Sequence, residues 1–308
     1  MKRRWIAATV LAGQLLAQPA YAWDEIGHEV IARIAWANLT PQARAAAAAI
    51  LSHAPEDSGL RALRPAGGTL EERRRVFFVE ASTWPDIVRD TTFPARVLAY
   101  HRSNWHYVNY FFEETPQGPR DRPDLRPDTV NAVERLALLD DWVVDPGRSA
   151  AQRATDLAWI LHLVGDIHQP LHATARVTGT EPAPRGDLGG NRFRLDGSNL
   201  HSYWDGAIRR SFPALPGERE HARVSRIADA LMERHPRGAL PAAELEPAYE
   251  AWARAGFETA KAQAYDTPRG QEPSAEYRAA TAATAERAAA LAGYRLARLL
   301  NSVLAPGA

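Results

Sequence analysis

The 308-residue sequence contains no cysteine, and its charges show no excess of either sign. Without cysteine the chain can form neither disulfides nor thiolate metal sites, so any metal must be bound by histidine, carboxylate or backbone groups. Its 37 Lys and Arg residues balance 37 Asp and Glu residues. Tight binding of duplex DNA needs a strongly basic face. The composition therefore argues against a tight duplex-DNA binder.

The sequence also lacks an apolar run long enough to cross a bilayer, which takes ~20 residues. The run over residues 5–17 is shorter, follows the basic residues 2–4, and precedes Ala20-Tyr21-Ala22, a small-x-small cleavage motif. We therefore predict a signal peptide over residues 1–22, a single domain over residues 23–308, and a periplasmic or secreted product without a membrane anchor. A buried N-terminal helix is the alternative.

Helical periodicity dominates the rest of the chain. Helices are predicted over Asp24–Asn38, from Pro41, from the Ser149/Gln152 capping box to Gly165, and over Ala275–Leu304. Two loop-like regions, Glu114–Pro127 and Thr178–Gly197, are rich in Pro, Gly and charge, and the second has a possible short hairpin around Asn191–Leu195. The predicted fold is mainly α, a single-domain multi-helix bundle with a short hairpin or loop insertion.

The first candidate site residues lie in the helix after Ser149. His162 and Asp166 are four residues apart and share one helix face, opposite an apolar stripe. An ionised Asp in a buried helix must be paired or bound to metal. The pair therefore indicates either a two-ligand platform for zinc or a hydrogen-bonded pair in the core.

The same spacing recurs at His201 and Asp205, and His172 follows Pro170 on a predicted turn. Because the pair recurs, a metal centre is favoured over a purely structural His–Asp hydrogen bond.

Three further groups join this set. Asp86 and Arg89 share a face after Pro85, and His106 precedes Tyr107 and Val108 in a predicted short buried strand. Signal-peptide cleavage would leave Trp23 as the N-terminus. Its α-amine, with an ordinary pKa of ~7.7–8.0, could chelate metal together with its own carbonyl. His28 lies close enough in sequence to join it.

These motifs resemble those of the S1/P1 nuclease family of zinc enzymes, which is distantly related to zinc phospholipases C. The matching segments, in family order, are Trp23-x4-His28, Trp84-x-Asp86-x2-Arg89, His106-Tyr-Val-Asn109, His162-x3-Asp166-x-His-Gln-Pro-Leu-His172, Gly189-Gly190-Asn191 and Asn199-Leu-His201-x2-Trp204-Asp205. The absence of cysteine is typical of a bacterial member rather than a disulfide-linked eukaryotic one.

The resemblance implies three zinc ions in a cleft. The first would take Asp86, His106, His162 and Asp166; the second Asp166, His28 and the amine and carbonyl of Trp23; the third His172, His201 and Asp205. It further implies catalytic roles for Asp86, Asp166 and Arg89, with attack by zinc-bound hydroxide on single-stranded DNA, RNA and 3′-nucleotides to give 5′-phosphorylated nucleotides. Tyr107 is the predicted base platform, and Asn109 takes a position where fungal members often have a base-contacting Asp. We expect a monomer.

Two alternatives stay open at this point. A zinc phospholipase C would share the metals but needs an exposed apolar rim, for which no amphipathic segment is evident. A non-catalytic zinc protein would have closed, four-ligand sites, whereas the third group has three candidate ligands. The run Arg73-Arg74-Arg75 after Glu71-Glu72 is interpreted as a solvated helix face.

Overall fold

The computed structural model describes residues 23–307, so the predicted signal peptide lies outside the described residues. The described part is mainly helical, as predicted. Its α-helices are α1 (Glu25–Asn38), α2 (Pro41–Leu51), α3 (Leu70–Ala81), α4 (Trp84–Ile87), α5 (Pro94–Tyr100), α6 (Ala132–Trp142), α7 (Ala150–Asp166), α8 (Leu200–Asp205), α9 (Ala207–Ser211), α10 (Glu220–Arg234), α11 (Tyr249–Thr259) and α12 (Ala275–Leu304). One π-helical turn, Ala260–Ala264, follows α11.

The core is built around α1, α7 and α12, which pack against one another. Helix α7 is buried on every side over residues 157–166. Helix α12 lies closely against α1, because a Cβ on Gly293 would come within 2.6 Å of Ile34 Cβ. Because α7 is buried on every side, any polar side chain in its residues 157–166 faces the protein interior rather than solvent.

Helix ends follow their capping residues. Asp24 accepts a hydrogen bond from the Gly27 amide at 3.1 Å and starts α1 at Glu25. The predicted capping box of Ser149 and Gln152 is present at the start of α7. Ser274 caps α12 through the amide of Tyr277. These bounds lie within a residue of those predicted.

Two small sheets complete the domain. β1 (Tyr110–Thr115) pairs antiparallel with β2 (Gly118–Asp121) and parallel with β3 (Thr174–Val177). β4 (Arg194–Leu195) and β5 (Ser198–Asn199) form a two-stranded hairpin close to the predicted one.

The sheet corrects two predictions. The strand expected around Tyr107 and Val108 begins only at Tyr110, and the predicted loop Glu114–Pro127 contains the end of β1 and all of β2. Strands this short carry too few residues for a clear period of two. The sheet matters for the site because the Val108 amide donates to the His172 carbonyl at 2.8 Å.

Within residues 23–307 no helix combines the length and the apolar content needed to span a membrane.

Candidate metal centre

Helix α7 carries His162 and Asp166 into the interior, where both side chains are fully buried. Gly165 stands between them, and a Cβ there would lie 2.8 Å from His28 Nδ1. The missing side chain lets the α1 histidine lie against α7. The His28 and His162 rings stack with their centroids 3.9 Å apart.

The Asp166 carboxylate faces histidines on both of its oxygens. Its Oδ2 lies 3.0 Å from His106 Nδ1 and 3.3 Å from His162 Nε2. Its Oδ1 lies 3.5 Å from His28 Nε2. Asp86 completes this side, with its Oδ1 3.8 Å from His162 Nε2 and 4.0 Å from His106 Nδ1. We call Asp86, His106, His162, Asp166 and His28 the Asp166 cluster.

A second group, the Asp205 cluster, consists of His172, His201 and Asp205. His172 Nε2 lies 3.1 Å from His201 Nε2, and His201 Nε2 lies 3.7 Å from Asp205 Oδ1. His172 sits on a single 3₁₀ turn, Pro170–Ala173, in agreement with the turn predicted there. His201 and Asp205 are the i, i+4 pair of α8.

Backbone carbonyls orient the rings of the Asp205 cluster. A carbonyl can only accept, so His172 Nδ1 donates to the His106 carbonyl and His201 Nδ1 to the Gly189 carbonyl, both at 2.6 Å. The Nε2 atom of each ring is therefore unprotonated and available to bind a metal ion. Gln169 Nε2 donates to Asp205 Oδ1 at 2.7 Å and fixes that carboxylate.

A hydrogen bond to a backbone carbonyl also orients His162, whose Nδ1 donates to the Ser82 carbonyl at 2.7 Å. Such outer hydrogen bonds set the tautomer and direction of metal-binding imidazoles. Sequence reasoning did not identify Ser82, Gln169 or the Gly189 carbonyl as part of the site. Gln169 lies inside the His168-Gln-Pro-Leu-His172 motif and could have been noticed, whereas a backbone acceptor has no sequence signal.

The residues present fit metal ions. Among the described residues, the buried polar atoms without a hydrogen-bond partner include both nitrogens of His28, His106 Nε2 and Asp166 Oδ1, while Asp86 Oδ1 is paired with Arg89. An unsatisfied buried group costs ~1–3 kcal/mol, and more if it is charged. Three groups have ligand atoms within 4.8 Å of one another: His28/Asp86/His162, His106/His162/Asp166 and His172/His201/Asp205. A cation would satisfy these atoms with oxygen and nitrogen donors, which zinc accepts.

The electrostatics point the same way. Burial, with a smaller effect of the Arg89 charge, lowers the pKa of His28 to about 3. Burial raises the pKa of Asp86 to about 6, and burial together with the Asp86 charge raises the pKa of Asp166 well above its usual value. Without a bound cation, burial thus disfavours the charged forms of His28, Asp86 and Asp166. A cation would favour the ionised form of the two carboxylates.

Arg89 stands at the most accessible edge of the Asp166 cluster. Its guanidinium lies 3.1 Å from Asp86 Oδ1, so the two side chains share a face, as predicted. The Arg89 side chain is 18% exposed and that of Asp86 9%, while His162 and Asp166 are 0% exposed. A ligand entering from solvent would therefore meet Arg89 and Asp86 first.

Tyr107 and Asn109 lie on either side of Val108, in the segment that follows His106. Both are half-buried. The Tyr107 carbonyl accepts from the Ala132 amide at 3.1 Å, and the neighbouring Val108 amide is bonded to His172. The segment that carries Tyr107 is thus anchored on both sides, next to the cluster.

Trp23 is fully buried against helix α7. Its indole Nε1 donates to the Gly165 carbonyl at 3.0 Å, and the next residue, Asp24, donates its amide to the Asp205 carbonyl at 3.1 Å. The start of the described chain is therefore tied both to α7 and to the Asp205 cluster.

A mainly helical domain whose interior brings together three His/Asp groups able to hold metal ions has the features of a metal-dependent hydrolase. The chain matches the S1/P1 nuclease family over residues 23–305, and it belongs to that family. It is therefore a hydrolytic enzyme of the nuclease class, which confirms the resemblance found in the sequence. A search of curated proteins found no match.

Proposed function

We propose that this protein is a secreted zinc-dependent nuclease that cleaves single-stranded DNA and RNA to 5′-phosphorylated products and also hydrolyses 3′-nucleotides. The observation that carries the proposal is the Asp166 carboxylate, which directs one oxygen to His106 and His162 and the other to His28. A carboxylate so placed suits the bridge between two neighbouring metal ions.

The third proposed ligand set is the group His172/His201/Asp205, whereas the first two sets divide the Asp166 cluster so that His28 joins Asp166 and Trp23 rather than Asp86 and His162. Asp86, His106, His162 and Asp166 would hold one zinc; Asp166, His28 and the amine and carbonyl of Trp23 a second; His172, His201 and Asp205 a third. The unsatisfied buried atoms of the Asp166 cluster support the first two sets, and the convergent Nε2 atoms of His172 and His201 support the third. Bound zinc would supply Lewis acidity for the water and for the phosphate oxygens.

Arg89 would bind a phosphate oxygen as negative charge develops on it. Its position supports this role, because its charge contributes to the lowered pKa of His28, His106 and His162, so it acts on the whole Asp166 cluster. The Asp86 carboxylate orients the guanidinium through the 3.1 Å contact.

Tyr107 would stack on a base next to the cleaved phosphate, and Asn109 would contact the base edge. Stacking on an aromatic ring requires a base that can leave its own stack, which favours single strands and tolerates any sequence. The half-buried Tyr107 on its anchored segment supports this placement.

Secretion is proposed from the signal-peptide motif over residues 1–22. The family match begins at residue 23, directly after the predicted cut, and supports a mature domain over residues 23–308. We propose that this domain acts as a monomer.

One observation favours a second candidate function, a zinc phospholipase C. Three large apolar side chains follow Asp86 closely and are exposed: Ile87 by 37%, Phe93 by 49% and Leu98 by 85%. A lipid-cleaving enzyme needs such a rim.

One experiment separates the two functions. Mature protein is analysed for bound metals and then assayed on single-stranded DNA, duplex DNA, RNA, a 3′-nucleotide and phosphatidylcholine. We expect three zinc equivalents and faster cleavage of single strands than of duplex. Cleavage of phosphatidylcholine without cleavage of nucleic acid would replace the nuclease proposal by the phospholipase one.

A further inference from the structure

A groove of about 480 Å³ lies between α2 and α3, on a part of the domain that the metal centre does not use. One wall is a row of small side chains of α2 and its C-cap at i, i+3, i+4 and i+7 spacing: Ala45, Ala48, Ala49 and Ser52. The facing wall has the same spacing on α3: Leu70, Arg73, Arg74 and Phe77. The loop residues Arg64, Pro65 and Ala66 close one end.

The charge of this groove departs from the balance of the chain as a whole. Its described lining contains three arginines, Arg64, Arg73 and Arg74, and no carboxylate. All three are exposed. Within residues 23–307 none of the three forms an ion pair with an acidic side chain. Arg73 instead donates to the Gly68 carbonyl at 2.8 Å, and the Arg64 guanidinium lies 5.8 Å from the centre of the Phe77 ring.

The two acids that precede the arginines face elsewhere. Glu72 accepts from the Thr69 amide in the capping box of α3, and both Glu71 and Glu72 line a neighbouring depression together with Arg33, Arg44 and Arg75. Glu71 and Glu72 therefore do not neutralise the positive charge of the groove. The exposure predicted for residues 73–75 is present for Arg73 and Arg74, but these side chains line a concave surface rather than a convex one.

We propose that this groove is a second contact site for single-stranded nucleic acid, which binds a stretch of the strand outside the cleaved bond. The inference rests on the proposed nuclease function. Guanidinium groups bind phosphate oxygens and stack on base faces. The methyl-lined wall of α2 leaves room for flat groups, and Leu70, 56% exposed, gives an apolar contact.

A lipid surface is the less favoured occupant. Membrane-binding faces present large apolar side chains that insert below the headgroups. Here the apolar part consists mainly of alanine methyls and the buried Phe77, and Leu70 is its one large exposed side chain.

Helix α3 connects the groove to the metal centre. Its C-cap, Ser82, provides the carbonyl that orients His162. Arg74 precedes Ser82 by two turns, or ~12 Å along the helix axis at 1.5 Å per residue. Each nucleotide of one strand advances ~3.4 Å along the axis of a duplex, so this separation corresponds to a few nucleotides. A substrate that only fills the centre does not reach the groove, whereas an oligonucleotide several residues longer does.

The test compares an Arg73→Glu/Arg74→Glu double variant with an Arg219→Glu/Arg237→Glu control. The control arginines are also exposed and lie outside the groove, so the net charge change is the same. Glutamate is a good helix former and suits the early turns of α3. kcat/KM is measured against salt concentration for a long single-stranded oligonucleotide and for a 3′-nucleotide. Zinc content and melting temperature show whether the variants are folded.

We expect the groove variant to lose kcat/KM on the long strand only. The slope of log kcat/KM against log salt should flatten by about 1.4, because each phosphate contact on a single strand contributes ~0.7. The control variant should retain the wild-type slope. An unchanged slope in the groove variant, or equal losses on both substrates, would overturn the proposal.

Failure of the nuclease proposal gives a different result. In that case wild-type protein cleaves neither substrate, and binding of the same labelled strand by fluorescence anisotropy tests the groove directly. Binding that is lost in the groove variant alone supports the groove without catalysis, and no binding by wild type refutes it. Binding of phosphatidylglycerol vesicles, but not of the strand, would assign the groove to lipid.

Discussion

The Asp166 and Asp205 clusters use the same residue types in opposite ways. In the Asp166 cluster, buried atoms of His28, His106 and Asp166 lack a hydrogen-bond partner within the described chain. In the Asp205 cluster, hydrogen bonds from the protein already hold His172, His201 and Asp205. The Asp166 cluster thus contains more buried atoms that only a cation would satisfy. In the Asp205 cluster, hydrogen bonds to all three side chains fix their positions and leave the facing Nε2 atoms of His172 and His201 for a cation.

Metal removal should have the largest effect, and it tests the dependence of the Asp166 cluster on a cation. Each ion present at 1,000 times its Kd stabilises the fold by ~4 kcal/mol. Chelation of all three ions should therefore abolish activity and lower Tm by roughly 20 °C, measured by calorimetry. Readdition of zinc should restore both. An unchanged Tm would mean that the clusters do not cross-link the domain.

Single substitutions in each cluster compare the two directly. Asp166→Ala removes a carboxylate that has four histidines within 4.0 Å and should lose two zinc equivalents with nearly all activity. Asp205→Ala should lose one. Metal analysis of the purified variants gives the stoichiometry. Equal losses from the two variants would show that Asp166 does not bridge.

Arg89→Ala separates transition-state binding from metal binding at the Asp166 cluster. The guanidinium contacts Asp86 but is not a ligand. Removal of one donor to a developing negative charge costs about 10²–10³ in kcat. We expect a loss of this size with full zinc content. If the Arg89→Ala variant binds less zinc than wild type, Arg89 instead stabilises the metal site.

An N-terminal extension tests the side of the Asp166 cluster next to Trp23. With residues placed before Trp23 its nitrogen is an amide, which does not coordinate zinc at neutral pH. The extended protein should bind about one zinc less and turn over more slowly than protein that starts at Trp23, because the native-state ligand set is incomplete. Identical zinc content and rate would exclude the terminal amine as a ligand.

The smallest effect is expected at Tyr107, which lies outside both clusters. Base stacking on an aromatic ring contributes ~1–3 kcal/mol. Tyr107→Ala should therefore raise KM for single strands about tenfold, or somewhat more, and leave zinc content and Tm as in wild type. Tyr107→Phe is the matched control and should retain most of the activity. Cleavage of duplex and single-stranded DNA at equal rates would contradict the stacking role.

The features of this protein that could be predicted from the sequence are those determined by residues close together along the chain. The bounds of α1, α7 and α12 are set by caps a few residues away, such as Asp24 and Ser149, and were predictable. The pairs His162/Asp166 and His201/Asp205 were found for the same reason, since i, i+4 spacing is local.

The features that were missed depend on contacts distant in sequence. β1 pairs with β3 across some sixty residues, and neither strand has a clear alternation. The carbonyls of Ser82 and Gly189 act through backbone atoms that every residue has. The concave setting of Arg73 and Arg74 exists only once α2 lies against α3.

Gly165 places helix stability and the geometry of the Asp166 cluster in opposition. Alanine is the better residue for a helix interior by ~1 kcal/mol, so the central helix would gain intrinsic stability from the exchange. The added methyl would, however, lie 2.8 Å from His28 Nδ1 and push that ring away from Asp166. A glycine that is unfavourable for helix stability is thus needed for the close packing of His28 against α7, a trade-off expected where a functional site lies in the core.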